Sequence, residues 1–270
     1  MGTKRAVPSS GAGTPSRAGR AARPGLARKA GKLETLTLRV GSHERRARVY
    51  LPAAYDGSRP FPLLVMFDGQ NVFDDHGSFA GGWRAHRAID RLGKKRSRPI
   101  VVAIDHGGGG RIDELAPFDR GGGHGRADAF LASVISHGLP TLRNRFHVTP
   151  GPAGVLVAGS SLGGLAAVYA HFRFPEAVGG ALAMSPSFWL GRGKILDFVA
   201  AQSTPWTSQV YLDAGAHERG SAPFVEAMTG HLRTRGYGPD KLLTKIDAKG
   251  AHTERSWRRR LPAALRFFYR

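Results

Sequence analysis

Apolar and polar positions change period several times along the chain, and each change marks a predicted element. Residues 33–40 (LETLTLRV) and 45–52 (RRARVYLP) alternate apolar with polar, with Gly41-Ser42 between them. That alternation predicts an antiparallel hairpin. The stretches FPLLVMFDG (61–69) and RPIVVAID (98–105) are continuous apolar runs instead, the pattern of strands buried on both faces. Between them Ala85, Ala88, Ile89 and Leu92 recur at i, i+3, i+4 and i+7, which predicts a helix with a basic outer face. Ala127, Phe130, Leu131, Val134 and Gly138 trace a second, longer helical stripe.

The same alternation of elements continues to the end of the chain. GVLVAG (154–159) reads as a strand running into a helix from about Ser161 to Phe172, stopped near Pro175. Strands follow at 179–185, 208–215 and 242–250, and helices at 194–201, 222–235 and 253–269. A leading hairpin and then alternating strands and helices predict an α/β fold, a doubly wound and mostly parallel sheet. Ligands of such sheets sit at the carboxyl ends of the strands. Loops that follow strands therefore become the candidate sites.

Charge divides the chain in two. The first 32 residues carry Lys4, Arg5, Arg17, Arg20, Arg23, Arg28, Lys29 and Lys32, with no acid before Glu34 and no hydrophobic period. A disordered basic tail is expected there, and a single folded domain over 33–270. The tail lacks the apolar core of a secretory signal, so a cytoplasmic location is expected. No apolar run approaches the length of a membrane span. The folded part keeps the larger share of the net charge of +20, which would favour anionic substrates or polyanions. No nucleic-acid motif stands out, so no specific nucleic-acid partner is expected. Cysteine is absent, which excludes disulfides, thiolate zinc sites and a cysteine nucleophile.

The chemistry centres on Gly159-Ser160-Ser161-Leu162-Gly163, a Gly-x-Ser-x-Gly match at a strand-to-helix junction. Flanking glycines leave room for the sharp turn that exposes a nucleophilic serine. If Ser161 is that nucleophile, an acid and then a histidine must follow it in the chain. His252 lies after the last strand and is the candidate general base, whereas His217 falls in the wrong place in that order. After SQVYLDAG two acids compete: Glu218 in the loop is favoured, and Asp213 at the strand end is the second choice. For the oxyanion, the Leu162 amide supplies one donor. Residues 106–110 (HGGGG) mimic an oxyanion loop but follow the wrong strand, which leaves the Gln70 amide in DGQNVFDD as the better second donor. Arg111 and Trp189 are candidate pocket residues. His106 and His124 sit in glycine loops without a ligand helix, and neither a metal nor a cofactor is expected.

VYLPAAYD, LLVMFDGQNVFD, GSSLGG, SPSFW and HTERSWRRRLPAALRFF, in this order over residues 46–270, resemble the putative esterase family of esterase D and enterochelin esterase-like α/β-hydrolases. The resemblance implies the α/β-hydrolase fold, with the nucleophile at Ser161, the histidine at His252, the acid at Glu218 and the oxyanion amide at Gln70. It also implies a small-molecule ester substrate, which a siderophore-type or other anionic ester would satisfy on so basic a protein. Two other functions remain open to test. One is an acyltransferase using the same acyl-enzyme, the other a non-catalytic polyanion-binding protein on a hydrolase scaffold.

Overall fold

The computed structural model describes residues 1–3, 30–93, 96–205, 207–218 and 220–270. Most of the expected basic tail, residues 4–29, lies outside these, and the first strand already includes Lys32. Eight strands form one sheet: β1 (Lys32–Val40), β2 (His43–Leu51), β3 (Leu63–Met66), β4 (Ile100–Ile104), β5 (Val155–Ser160), β6 (Gly180–Met184), β7 (Gln209–Gly215) and β8 (Leu242–Asp247). Their order is β1-β2-β4-β3-β5-β6-β7-β8. The β1/β2 hairpin joins β4 antiparallel, and every pair from β4 to β8 is parallel. This is the α/β-hydrolase fold, with the leading hairpin as one edge.

The apolar runs explain why helices cover both faces. On β3, Leu63 and Val65 enter one hydrophobic cluster while Leu64 and Met66 enter the other. The neighbours on β4 and β5 divide in the same way, because successive side chains point to opposite faces. Helices α1 (Ala85–Asp90) and α8 (Glu254–Phe268) cover the face of Leu64, through Ile89, Leu261 and Leu265. The other face carries α3 (Ala127–Ser133), α4 (Leu139–Arg145), α5 (Leu162–Arg173), α6 (Lys194–Ala201) and α7 (Ser221–Thr234). Helix α2 (Arg111–Leu115) lies in the loop after β4.

Two local features depart from the expected pattern. The stripe that begins at Ala127 does not stop at Gly138: a π-turn over Val134–Gly138 carries it into α4. Pro140, which reads as a breaker, sits in the first turn of α4, where its missing N–H is tolerated and the wider turn absorbs it. The glycine-rich loop after β4 is not open loop either. It winds through a 3-10 turn at Gly108–Gly110 into α2, a helix of five residues, too short to leave a periodic signal.

Candidate active site

The connection from β5 to α5 is a single residue. β5 ends at Ser160, α5 begins at Leu162, and Ser161 turns the chain with φ 54° and ψ −122°. An L-residue pays about 1–3 kcal/mol for such a conformation, so the surroundings must fix it. The Ser161 N–H donates to the Met184 carbonyl at 3.0 Å, and the Ser161 carbonyl accepts from Ser187 N–H at 3.0 Å and Leu165 N–H at 3.1 Å. Glycine at 159 is obligatory here, because a Cβ there would stand 2.4 Å from the carbonyl carbon of Gly163.

From this turn a continuous side-chain chain runs across the carboxyl ends of the strands. His252 Nε2 lies 2.9 Å from Ser161 Oγ, and His252 Nδ1 lies 3.1 Å from Glu218 Oε2. The Ser187 hydroxyl is 3.2 Å from Ser161 Oγ. Two elements hold the imidazole in place. Trp257 packs edge-on against it, with ring centroids 5.0 Å apart, and Thr253, the next residue, caps α8 by accepting the Ser256 N–H at 3.3 Å.

Glu218 is buried, yet its carboxylate is well supplied with donors. Oε1 accepts the Gly215 N–H at 2.8 Å and the Ser185 hydroxyl at 2.6 Å, while Oε2 faces His252. Burial would push its pKa up, but the hydrogen bonds from His252, Ser185 and Gly215 outweigh this and hold the carboxyl below its ordinary range. Asp213, the competing acid, turns elsewhere. It accepts the Ser185 N–H at 3.1 Å and the Tyr211 hydroxyl at 3.0 Å, and Arg260 Nε lies 3.0 Å away. Complete burial pushes Asp213 up to about 6 against the pull of Arg260. Of the two candidates, only Glu218 contacts His252.

Sequence reasoning missed the residue that joins these groups. Ser185, at the end of β6 with φ 43°, donates to Glu218 and accepts from Trp257 Nε1 at 2.9 Å and from Arg260 at 2.6 Å. One hydroxyl thus links the acid to the helix that follows the histidine. The only trace in the sequence was SPSFW, which carried the family resemblance but no role for Ser185.

The turn after β3 places Gln70. Asp68 adopts φ 55°, and the first backbone bond of the following 3-10 turn runs from Asn71 N–H to the Asp68 carbonyl at 2.9 Å. The Gln70 amide therefore precedes the first bonded donor of that turn, as the Leu162 amide does in α5. The turn packs against the start of α5: a Cβ on Gly163 would lie 3.1 Å from Asp68 Oδ2. Two fastenings hold it. Arg111 grips the buried Asp68 carboxylate with Nε at 2.6 Å and a terminal nitrogen at 2.8 Å. The Gln70 side chain donates to the His106 carbonyl at 3.2 Å and accepts the His106 N–H at 3.3 Å. The HGGGG loop thus anchors the turn rather than replacing it.

A cleft of about 520 Å³ opens at Ser161 and Leu162. Arg111, Arg120 and Arg192 line it, together with Trp189 and Ile112, each about half exposed. Both predicted pocket residues, Arg111 and Trp189, are therefore at the cleft. His217 stays outside the chain of contacts, its backbone N–H donating to the Gly250 carbonyl at 3.1 Å.

The family model described as "Putative esterase" matches residues 40–268. The uncharacterized protein YbbA of Bacillus subtilis (strain 168) is 23% identical over 243 residues, covering 83% of this chain and 92% of YbbA. The iron(III) salmochelin esterase of Escherichia coli O6:H1 is 27% identical over 222 residues, covering 76% of this chain but 51% of that protein. The enterobactin esterase FES of Shigella flexneri, solved in the presence of enterobactin, superposes with a TM-score of 0.69 at 20% identity. That alignment covers 87% of this chain and 59% of FES. The chain spans only about half the length of these siderophore esterases.

Proposed function

The chain belongs to the putative esterase family and is a carboxylic ester hydrolase, and from that premise we propose that it cleaves anionic esters of the siderophore type through an acyl-enzyme on Ser161. The observation that carries this reading is the unbroken contact from Ser161 Oγ through His252 to Glu218, at 2.9 Å and 3.1 Å. As Ser161 Oγ attacks the ester carbonyl carbon, His252 Nε2 takes its proton. The tetrahedral intermediate then collapses, and the same proton passes to the departing alkoxide. In the second half water attacks the acyl-enzyme, His252 takes the water proton and returns it to Ser161 Oγ, and the carboxylic acid leaves.

Glu218 holds the imidazole with Nε2 toward the serine and stabilises the imidazolium formed in each half. The depressed pKa of Glu218 suits that role, because the carboxylate stays charged throughout. The amides of Gln70 and Leu162 receive the oxyanion; losing one such donor costs about 10²–10³ in rate. For the substrate, the guanidinium groups of Arg120 and Arg192 at the cleft favour negative charge, Arg111 being paired with Asp68, and the half-exposed Trp189 indole offers a surface for an aromatic ring.

Matched anionic and neutral aryl esters test the substrate class. Expected is a kcat/KM at least about tenfold higher for the anionic ester at low salt, shrinking as salt screens the cleft. Equal efficiency at low salt would refute the anionic preference. A folded protein that hydrolyses neither ester would refute the reading as a whole.

A further inference from the structure

A recess of about 880 Å³ lies between α1 and α8, and Ser161 is not among its lining residues. Each of its two walls carries three arginines. Arg84, Arg87 and Arg91 fall at i, i+3 and i+7 in and around α1, and Arg255, Arg258 and Arg259 at i, i+3 and i+4 on α8. Lys249 adds a seventh cation from the loop after β8, and no acidic residue lines the recess. Two of the seven have partners at the rim: Arg84 with Asp75 and Arg259 with Asp247, each at 2.5 Å. The other five make no ion pair among the described residues. None of the residues outside that description is acidic, so no side chain there can supply the missing anion.

Two further observations separate this recess from an ordinary basic surface. Arg255 lies in the first turn of α8, where the positive end of the helix dipole disfavours cations, Arg258 and Arg259 follow in the second turn, and Glu254, the acid of that first turn, is buried. The indole N–H of Trp83, a buried residue lining the recess, has no hydrogen-bond partner. Such an arrangement is costly in the empty protein and favourable around a bound polyanion.

We propose that this groove is a second binding site, distinct from the catalytic cleft, for a compact oligophosphate of three or more phosphoryl groups. Arginine outnumbers lysine there six to one, and the planar guanidinium fork matches phosphate oxygens in pairs. Cations facing each other from two helices reward a ligand that carries several charges at short spacing. A concave recess between helices suits a compact anion better than the flat run of a duplex backbone. Occupancy also reaches the active site. Ala251 and Thr253, on either side of His252, line the recess, and the Trp83 ring lies tilted at 5.9 Å against Trp257, which itself packs against His252.

Calorimetric titration of the full chain with tripolyphosphate at low salt tests the site. The expected result is saturable binding with one equivalent, weakened about tenfold or more by Arg87→Gln/Arg258→Gln. Two controls remove the same charge elsewhere: Arg143→Gln/Arg233→Gln on the outer surface and Arg120→Gln/Arg192→Gln at the catalytic cleft. Both are expected to leave Kd within about twofold, and thermal melting confirms that each variant is folded. Equal weakening by all three pairs would reduce the site to diffuse surface charge. Weakening by the cleft pair alone would place the anion at Ser161. An absence of saturable binding, or a groove pair that weakens duplex DNA binding but not tripolyphosphate binding, would also overturn the proposal.

Discussion

The carboxyl ends of β5 and β7 both border the candidate active site, but they are built by different means. At β5 the backbone does the work. One strained residue, Ser161, glycines at 159 and 163, and amide bonds to Met184 and Ser187 set the turn. At β7 the side chains do it: Ser185, Tyr211, Asp213, Glu218, Trp257 and Arg260 converge from β6, β7, the loop beyond β7 and α8. A backbone device is written in consecutive residues. A buried polar network is written across partners as far as 75 positions apart, and no local pattern announces it.

The first way to break the comparison is Ser161→Ala. It is expected to lower kcat by at least about 10⁴ while leaving the melting temperature unchanged, since the mutation removes only Oγ from a turn held by backbone bonds. Next comes Glu218→Gln, which keeps the shape but offers His252 no carboxylate; kcat should fall by about 10²–10⁴. The partner experiment, Asp213→Asn, sharpens the contrast. Its kcat should stay within about tenfold of the parent, because Asp213 does not touch His252. Equal kinetic damage from the two acid variants would show that they act as one unit.

Proton linkage separates the same two carboxylates. Asp213 is raised by burial to about 6 from an ordinary 3.8, so between these values the native state holds a proton that the unfolded chain has released. Its contribution to stability is therefore full below pH 3.8 and declines as pH rises through 6, by at most about 1.4 kcal/mol per pH unit. Glu218 runs the other way. Its folded pKa lies below 4.5, so its stabilisation is present above that value and is lost as pH falls further. Urea unfolding from pH 3 to 7 should show the Asp213 decline in the parent and not in Asp213→Asn. The smallest expected effect is that of Trp257→Phe, which keeps a ring against His252 but removes one donor from Ser185. Unfolding should report a loss of about 1 kcal/mol, with kcat changed less than about tenfold.

Strand and loop order made much of the molecule legible in advance. Period-2 and continuous apolar runs located the eight strands of the described residues, and the order of serine, acid and histidine pointed to Ser161 and His252 while leaving Glu218 favoured over Asp213; in the structure Ser161, His252 and Glu218 lie within hydrogen-bond distance of one another in turn. What stayed hidden follows the division between the two strand ends. Ser185 and Arg260 look in sequence like an ordinary serine and one of many arginines, and they gain meaning only where β6 and α8 meet. Arg111 was legible as a cleft residue; its grip on Asp68, 43 positions earlier, was not. The π-turn at Val134–Gly138 was hidden for another reason: a glycine and a proline that usually end a helix here sit where a wider turn accommodates them.

The central claim is that Ser161 is an assembled nucleophile. The most direct measurement is to treat the folded protein with a fluorophosphonate probe and map the adduct by mass spectrometry. The account predicts one stoichiometric adduct on the peptide containing Ser161, absent in Ser161→Ala and much slower to form in Glu218→Gln. A folded protein that forms no adduct, or one that carries it on another serine, would contradict it.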